Sequence, residues 1–123
     1  MQDLVGIVRT ESEMAEALGR LDELKSRGAR AGVEGHREYH TGWHACLDLR
    51  NLLTVSEAIT RAAIERRESR GGHFRDDFPD KDPEYAVFNI ATAQGRDGTM
   101  QVRRQPIPPM PGELKQIIED QKQ

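Results

Sequence analysis

Apolar side chains, aromatics and sulfur are all scarce in this chain, and each shortage excludes something. Of 123 residues, 36% are hydrophobic and 5% aromatic, while 32% are charged. Globular domains usually carry roughly 45–50% apolar residues with glycine counted, so one modest core is all this length and composition supports. A core that thin leans on a neighbour. The single cysteine, Cys46, cannot form an internal disulfide and fits a reducing compartment. No apolar run nears the roughly 20 residues that cross a bilayer, and no basic stretch followed by an apolar one marks a secretion signal. Together these place the chain inside the cell. The net charge of −3 removes any general electrostatic grip on nucleic acid. There is no glycine-rich phosphate loop, no GxGxxG and no GKS or GKT, so no recognised dinucleotide route exists.

What is present is mostly helical. Met1 to Arg9 carries apolar residues without a start signal and reads as the end of an element or a short helix. Thr10-Glu11-Ser12-Glu13 is a capping box, and Met14, Leu18, Leu21 and Leu24 follow on one helical face, which predicts a helix over about 11–27. Residues 28–40 read as a loop. Thr41-Gly42 caps a second helix that begins near Trp43 and runs to about Ser69, with Gly71-Gly72 as its stop. Leu47, Leu49, Leu52, Leu53, Val55, Ile59, Ala62, Ala63 and Ile64 spread around more than half of this helix, so it is expected to be central and buried on several sides, with Trp43 as a core anchor. Arg66, Arg67 and Arg70 suit its negative end. Residues 73–83 form a loop, and a hairpin is expected over about 85–105 around the Gly95-Arg96-Asp97-Gly98 turn. Pro106 to Pro111 dictate an extended tail, and Glu113 to Gln121 form a last helical segment with Leu114, Ile117 and Ile118 on one face. The expected class is mainly α over 1–123: a three-helix, bundle-like (spectrin-repeat-like) domain with helices over about 1–70, and a small hairpin and proline-rich tail over about 84–123.

Chemical constellations are weak. His40 and His44, with Glu38 nearby, lack a third firm ligand and read as a polar helix entry rather than a metal site. Cys46 and His44 are two apart on a helix and do not face each other, so Cys46 reads as a small packed residue. Arg61, Arg66, Arg67, Arg70 and Arg75 are matched by Glu57, Glu65, Glu68, Asp76 and Asp77, which suits a salt-bridged surface better than a phosphate patch. The segment from Arg67 to Pro79 stands apart. It holds a histidine, arginines and aspartates beside a double glycine and before a proline, the material for a loop fixed by charge-assisted hydrogen bonds.

That segment, Arg66-Arg67-Glu68-Ser69-Arg70-Gly71-Gly72-His73-Phe74-Arg75-Asp76-Asp77-Phe78-Pro79, resembles the signature R-x-E-S-R-G-x-H-x-R-x-D-[FY]-P of the C-terminal domain of succinate dehydrogenase and fumarate reductase flavoproteins. Leu49-Arg50-Asn51-Leu52-Leu53 resembles the preceding helix of that family, Val5-Gly6-Ile7-Val8-Arg9 its first segment, and Asp97 to Val102 with the proline tail its closing strands. The resemblance implies part of an FAD-dependent oxidoreductase interconverting succinate and fumarate. It implies FAD in the full-length subunit and none in this chain. The implied partners are the flavin-binding and capping domains of the same subunit and an iron–sulfur subunit, with no nucleic acid and with self-association of the excised domain as a further possibility. Met1 then reads as an internal methionine or a chosen start, and the parent complex is expected at the cytoplasmic face of the inner membrane. No catalytic, cofactor-binding or metal residue is carried over. Glu68, Ser69, Arg70, His73, Arg75 and Asp77 are assigned to an interdomain loop, the bland reading being a local salt-bridge network. L-aspartate oxidase has a similar segment but tends to read R-G-L-H-Y where this chain has Gly72 and Phe74-Arg75. Adenylylsulfate reductase is more distant. A non-catalytic helical interaction module is the remaining alternative.

Overall fold

A computed structural model describes residues 1–121. The elements in order are β1 (Val8–Arg9), α1 (Glu11–Gly28), α2 (Thr41–Glu65), β2 (Phe74–Arg75), a 3-10 turn (Pro83–Ala86), β3 (Phe88–Gln94), β4 (Met100–Pro106) and α3 (Gly112–Asp120). Helices α1 and α2 pack against each other, and the β3–β4 hairpin lies against α2. The core is small. Val5, Met14, Ala17 and Ala63 form its centre with Leu4 and Ile64 at the edge, and Leu21, Leu53 and Tyr85 are also buried.

Helix α1 starts as its capping box dictates. The Thr10 hydroxyl accepts from the Glu13 N–H, and the Glu13 carboxylate accepts from the Thr10 N–H at 3.1 Å. The hairpin also follows the sequence: Phe88 pairs with Pro106 and Gln94 with Met100 in antiparallel register. Its turn is closed by the Gly95 N–H donating to the Thr99 carbonyl at 2.8 Å, with Gly98 at φ +81°. In α3, Leu114, Ile117 and Ile118 share a face as expected.

Five expectations need correction. Met1 to Arg9 is not a helix: one turn closed by the Val5 N–H and the Met1 carbonyl leads into β1, which pairs in parallel with β2. The cap of α2 is His40, not Thr41-Gly42. Its Nδ1 accepts from the Trp43 N–H at 3.3 Å while Nε2 lies 3.0 Å from the Glu34 carbonyl, a pairing that uses both ring nitrogens of the neutral tautomer. Helix α2 stops at Glu65, not near Ser69. Gly71-Gly72 instead makes a tight turn in which Arg70 and His73 exchange backbone hydrogen bonds at 2.8 and 3.1 Å, with Gly71 at φ +60°. Nor do three helices form a bundle, because every residue of α3 is exposed.

The fifth correction matters most. Helix α2 buries one face only, through Leu53, Glu57, Thr60 and Ala63, and Trp43 is half-buried rather than a core anchor. Leu52, Val55 and Ile59 are 64%, 56% and 45% exposed. The apolar circumference is as the sequence reads, but α1 and the hairpin cover only part of it.

Candidate functional site

The signature segment wraps the end of α2, and its geometry follows from one need. A helix end leaves its last carbonyls without intrahelical donors. Here side chains supply them. Arg75 Nη1 donates to the Ala63 and Ile64 carbonyls at 3.2 and 3.4 Å, the Tyr85 hydroxyl donates to the Glu65 carbonyl at 3.2 Å, and His73 Nε2 lies 3.1 Å from the Arg66 carbonyl. The positive charge that the helix dipole favours therefore comes from Arg75, not from Arg66, Arg67 and Arg70 in a final turn.

The spacing His73, Arg75, Asp77 is two, the period of an extended chain whose alternate side chains share a side. Here His73 is half-buried, Arg75 buried, and Asp77 reaches back to Arg75 from an exposed position. Phe74 and Asp76 turn out, while the partly exposed Phe78 ring lies 5.0 Å from the Arg75 guanidinium and covers it. Arg75 is wholly buried and saturated. Its Nε and Nη2 meet the two oxygens of Asp77 at 2.6 and 2.7 Å, and Nη2 also meets Glu11 at 2.7 Å. The second oxygen of Asp77 in turn accepts from the Glu11 N–H at 2.9 Å, at the start of α1. One arginine at the negative end of α2 thus faces two carboxylates at the positive end of α1, a pairing that suits both dipoles. The Arg75 guanidinium holds the Asp77 carboxyl down to about 2.

Glu68 is the second buried charge, with no exposed surface. It accepts from Arg70 Nε and Nη2 at 2.8 and 2.9 Å, from Arg66 Nη1 at 2.5 Å and from the Asp82 N–H at 2.9 Å. Hydrogen bonds from Arg70, then from Asp82 and Arg66, outweigh the cost of burial and lower its carboxyl to about 2. Leaving the helix at Glu65 is what lets Glu68 gather these donors. Ser69 fixes the strand beside it: its Oγ accepts from the Arg75 N–H at 2.9 Å and donates to the Phe78 carbonyl at 2.9 Å. His73 Nδ1 lies 2.7 Å from Arg9 Nη1, so the ring accepts there and carries its hydrogen on Nε2. Burial first, and then the charges of Arg9, Arg75 and Arg66, push its pKa below the usual histidine range.

All six residues of the predicted loop therefore meet in one network. Sequence reasoning missed Glu11, Arg9, Asp82 and Tyr85. Glu11 was legible only as part of a capping box, and nothing local links it to a residue 64 positions away. The predicted charge matching holds for most members: Arg61 pairs with Glu57 at 2.6 Å, Arg66 and Arg70 with Glu68, and Arg75 with Asp77. Glu65 instead takes Arg104 of the hairpin at 2.7 Å, and Arg67 lies 3.7 Å from Glu11. Burial alone would raise the Glu57 carboxyl, but hydrogen bonds from Lys25 and Arg61 hold it below the ordinary value.

Residues 1–117 match the family described as fumarate reductase flavoprotein C-term. The chain belongs to the C-terminal domain family of fumarate reductase and succinate dehydrogenase flavoproteins. The fumarate reductase flavoprotein subunit of Mycobacterium tuberculosis is 33% identical over 108 residues, covering 87% of this chain and 18% of that protein. The L-aspartate oxidase of Acinetobacter baylyi is 41% identical over 80 residues, 65% of this chain and 14% of that protein. Among solved structures, Mycobacterium smegmatis Sdh1 in complex with UQ1 superposes with a TM-score of 0.84 at 42% identity, over 97% of this chain and 20% of that one. The chain thus spans a fifth or less of the relatives it matches.

Members of this flavoprotein family depend on FAD, but the described residues do not fit that cofactor. A dinucleotide grip needs a glycine-rich turn from a parallel strand into a helix. The parallel pairing here is only Val8–Arg9 with Phe74–Arg75, and β2 runs into the Asp76–Pro79 turn. Among the described residues no group of three His, Cys, Asp or Glu is placed to hold a metal ion, and His40 is spent as a helix cap. Cys46 is half-buried on α2 beside Trp43, with no base among the described residues at hydrogen-bond distance. No helix among the described residues is long and apolar enough to cross a membrane.

Proposed function

We propose that this chain is the C-terminal domain of an FAD-dependent oxidoreductase that interconverts succinate and fumarate in respiratory electron transfer. In this reading it packs on the flavin-binding and capping domains of the same subunit and lies near an iron–sulfur subunit, in a complex at the cytoplasmic face of the inner membrane. FAD and the reacting dicarboxylate sit on those other domains, and this chain alone does not catalyse the reaction. The observation that carries the reading is the bare apolar face of α2. Leu52, Val55 and Ile59 lie on one side of a helix that α1 covers only on the other, which is the mark of a surface made for a partner. Glu68, Ser69, Arg70, His73, Arg75 and Asp77 are the loop that seats the domain. Their bonds close within the domain, so their part is to hold the loop's outward side, Gly71-Gly72 and Phe74, in one fixed shape. The match at 41% identity favours a second reading, the C-terminal domain of an L-aspartate oxidase, but it covers less of the chain than the fumarate reductase match.

The test is reconstitution. The chain is mixed with a separately produced flavin-binding and capping fragment of the same polypeptide, and fumarate reduction by an artificial donor is measured, with L-aspartate oxidation as a parallel assay. Each piece alone and the Arg70→Ala/His73→Ala double variant, checked for folding by circular dichroism, are the controls. Fumarate reduction restored by the parent and not by the folded variant is the expected result. A flavin fragment that works equally well alone and does not bind the chain would sink the reading.

A further inference from the structure

Arg9 is the odd cation of the signature region. Arg66, Arg67, Arg70 and Arg75 each have a carboxylate within 4 Å, whereas no described carboxylate comes that near Arg9. Its Nε donates to the Gly6 carbonyl at 2.6 Å and Nη1 to His73 at 2.7 Å, both neutral acceptors. Half-buried as it is, it carries a full charge with no counter-charge among the described residues, and burial lowers its pKa. The guanidinium borders an open groove of about 500 Å3, whose other walls include Ile59 and Ala62 of α2, Arg66, His73 and Ile90 of β3. Arg66 shares Glu68 with Arg70, and the His73 ring accepts from Arg9 as a neutral imidazole, so Arg9 is the cation of the groove that no described carboxylate meets. Its apolar rim continues along α2 from Ile59 through Val55 to Leu52.

We infer that this groove receives a segment of the flavin-binding domain that presents an aspartate or glutamate flanked by aliphatic side chains, with its carboxylate seated on Arg9. The inference rests on the reading above and names the face and chemistry of that contact. Charge complementarity selects the carboxylate, since a guanidinium at a partly desolvated rim gains most from a charge-assisted pair. The shape selects a polypeptide. A free anion would neutralise Arg9 but leave the two-turn stripe from Leu52 to Ile59 in water, whereas a protein segment covers both.

The test uses the chain and the flavin-binding and capping fragment, with affinity measured by calorimetry for the parent, Arg9→Gln and Ile59→Asp. The first variant keeps a polar partner for His73 while removing the charge. The second places an acid on an exposed position beside Arg9. Each should weaken binding about thirtyfold or more, the usual scale for removing one member of a desolvated charge pair. In Arg9→Lys, carbodiimide coupling should join the introduced side-chain amine to one aspartate or glutamate of the fragment, identified by mass spectrometry. If the parent binds and both variants bind as tightly, the groove is not the contact, while the family role proposed above survives. If the parent does not bind at all, that role falls and this inference with it. If acetate or succinate alone shifts the Ile59 and Ile90 methyl resonances saturably at concentrations that displace the fragment, the groove is a small-anion site and the inference is overturned.

Discussion

Replacing Glu68 by glutamine tests whether the buried network holds the end of α2. The substitution keeps size and shape but turns a four-acceptor carboxylate into an amide. One oxygen of Glu68 faces Arg66 and Arg70 Nε, the other faces Arg70 Nη2 and the Asp82 N–H. Whichever way the amide turns, its NH2 meets two donors, and two bonds are lost. Hydrogen bonds to a charged group are worth about 1.5–3 kcal/mol each, so the loss is about 3 kcal/mol or more. Linkage gives a second figure. The carboxyl falls from 4.5 to about 2 on folding, and each pH unit is about 1.4 kcal/mol, giving about 3 kcal/mol. Its partners Arg66 and Arg70 are themselves partly exposed, so screening by nearby water trims this to about 2 kcal/mol. A loss of about 2–3 kcal/mol should lower the melting temperature of a domain this size by about 10 °C.

Urea denaturation followed by far-ultraviolet circular dichroism would measure it. Because the folded pKa is depressed, the stability from Glu68 is present above the unfolded value of 4.5 and is lost as pH falls toward about 2. The gap between wild type and Glu68→Gln should therefore be full near pH 7 and shrink by more than half near pH 3. An unchanged midpoint near pH 7, or a gap of equal size at both, would refute the reasoning.

Other consequences follow from the same geometry. His73 should titrate with a midpoint below 6.5 in 15N NMR, with Nε2 protonated and Nδ1 bare. Its depressed pKa favours the fold above 6.5, a contribution lost as pH falls toward the folded value, and a midpoint at or above 6.5 contradicts the assignment. Gly71→Ala should cost about 1–2 kcal/mol at φ +60°, while Gly72→Ala, with no such φ and open space around it, should cost little; equal effects in thermal melts would contradict the turn. Thr10→Ala should cost about 1 kcal/mol in the same melts by removing the α1 cap. Met14→Ala, at a site with no exposed surface, should cost about 2–5 kcal/mol in urea denaturation, and a loss well below this would mean the core collapses around the gap.

The sequence alone determined whatever is settled within a few residues. The capping box set the start of α1, the glycine pair at 95 and 98 set the hairpin, and the order of residues from Arg66 to Pro79 identified the family. It also placed an apolar surface around most of α2. Tertiary structure decided where α2 ends and which side of it is covered. Local signals such as a glycine stop or a terminal arginine are worth about 1 kcal/mol or less. They yield when leaving the helix at Glu65 lets Glu68 collect four donors and lets Arg75, His73 and Tyr85 cap the carbonyls left behind. Those partners lie up to 20 residues downstream, or across the domain at Glu11, where no sequence period reaches. The exposed stripe from Leu52 to Ile59 is likewise invisible in a helical wheel, because apolar spacing says what a face prefers and only the packed neighbours say whether it is met.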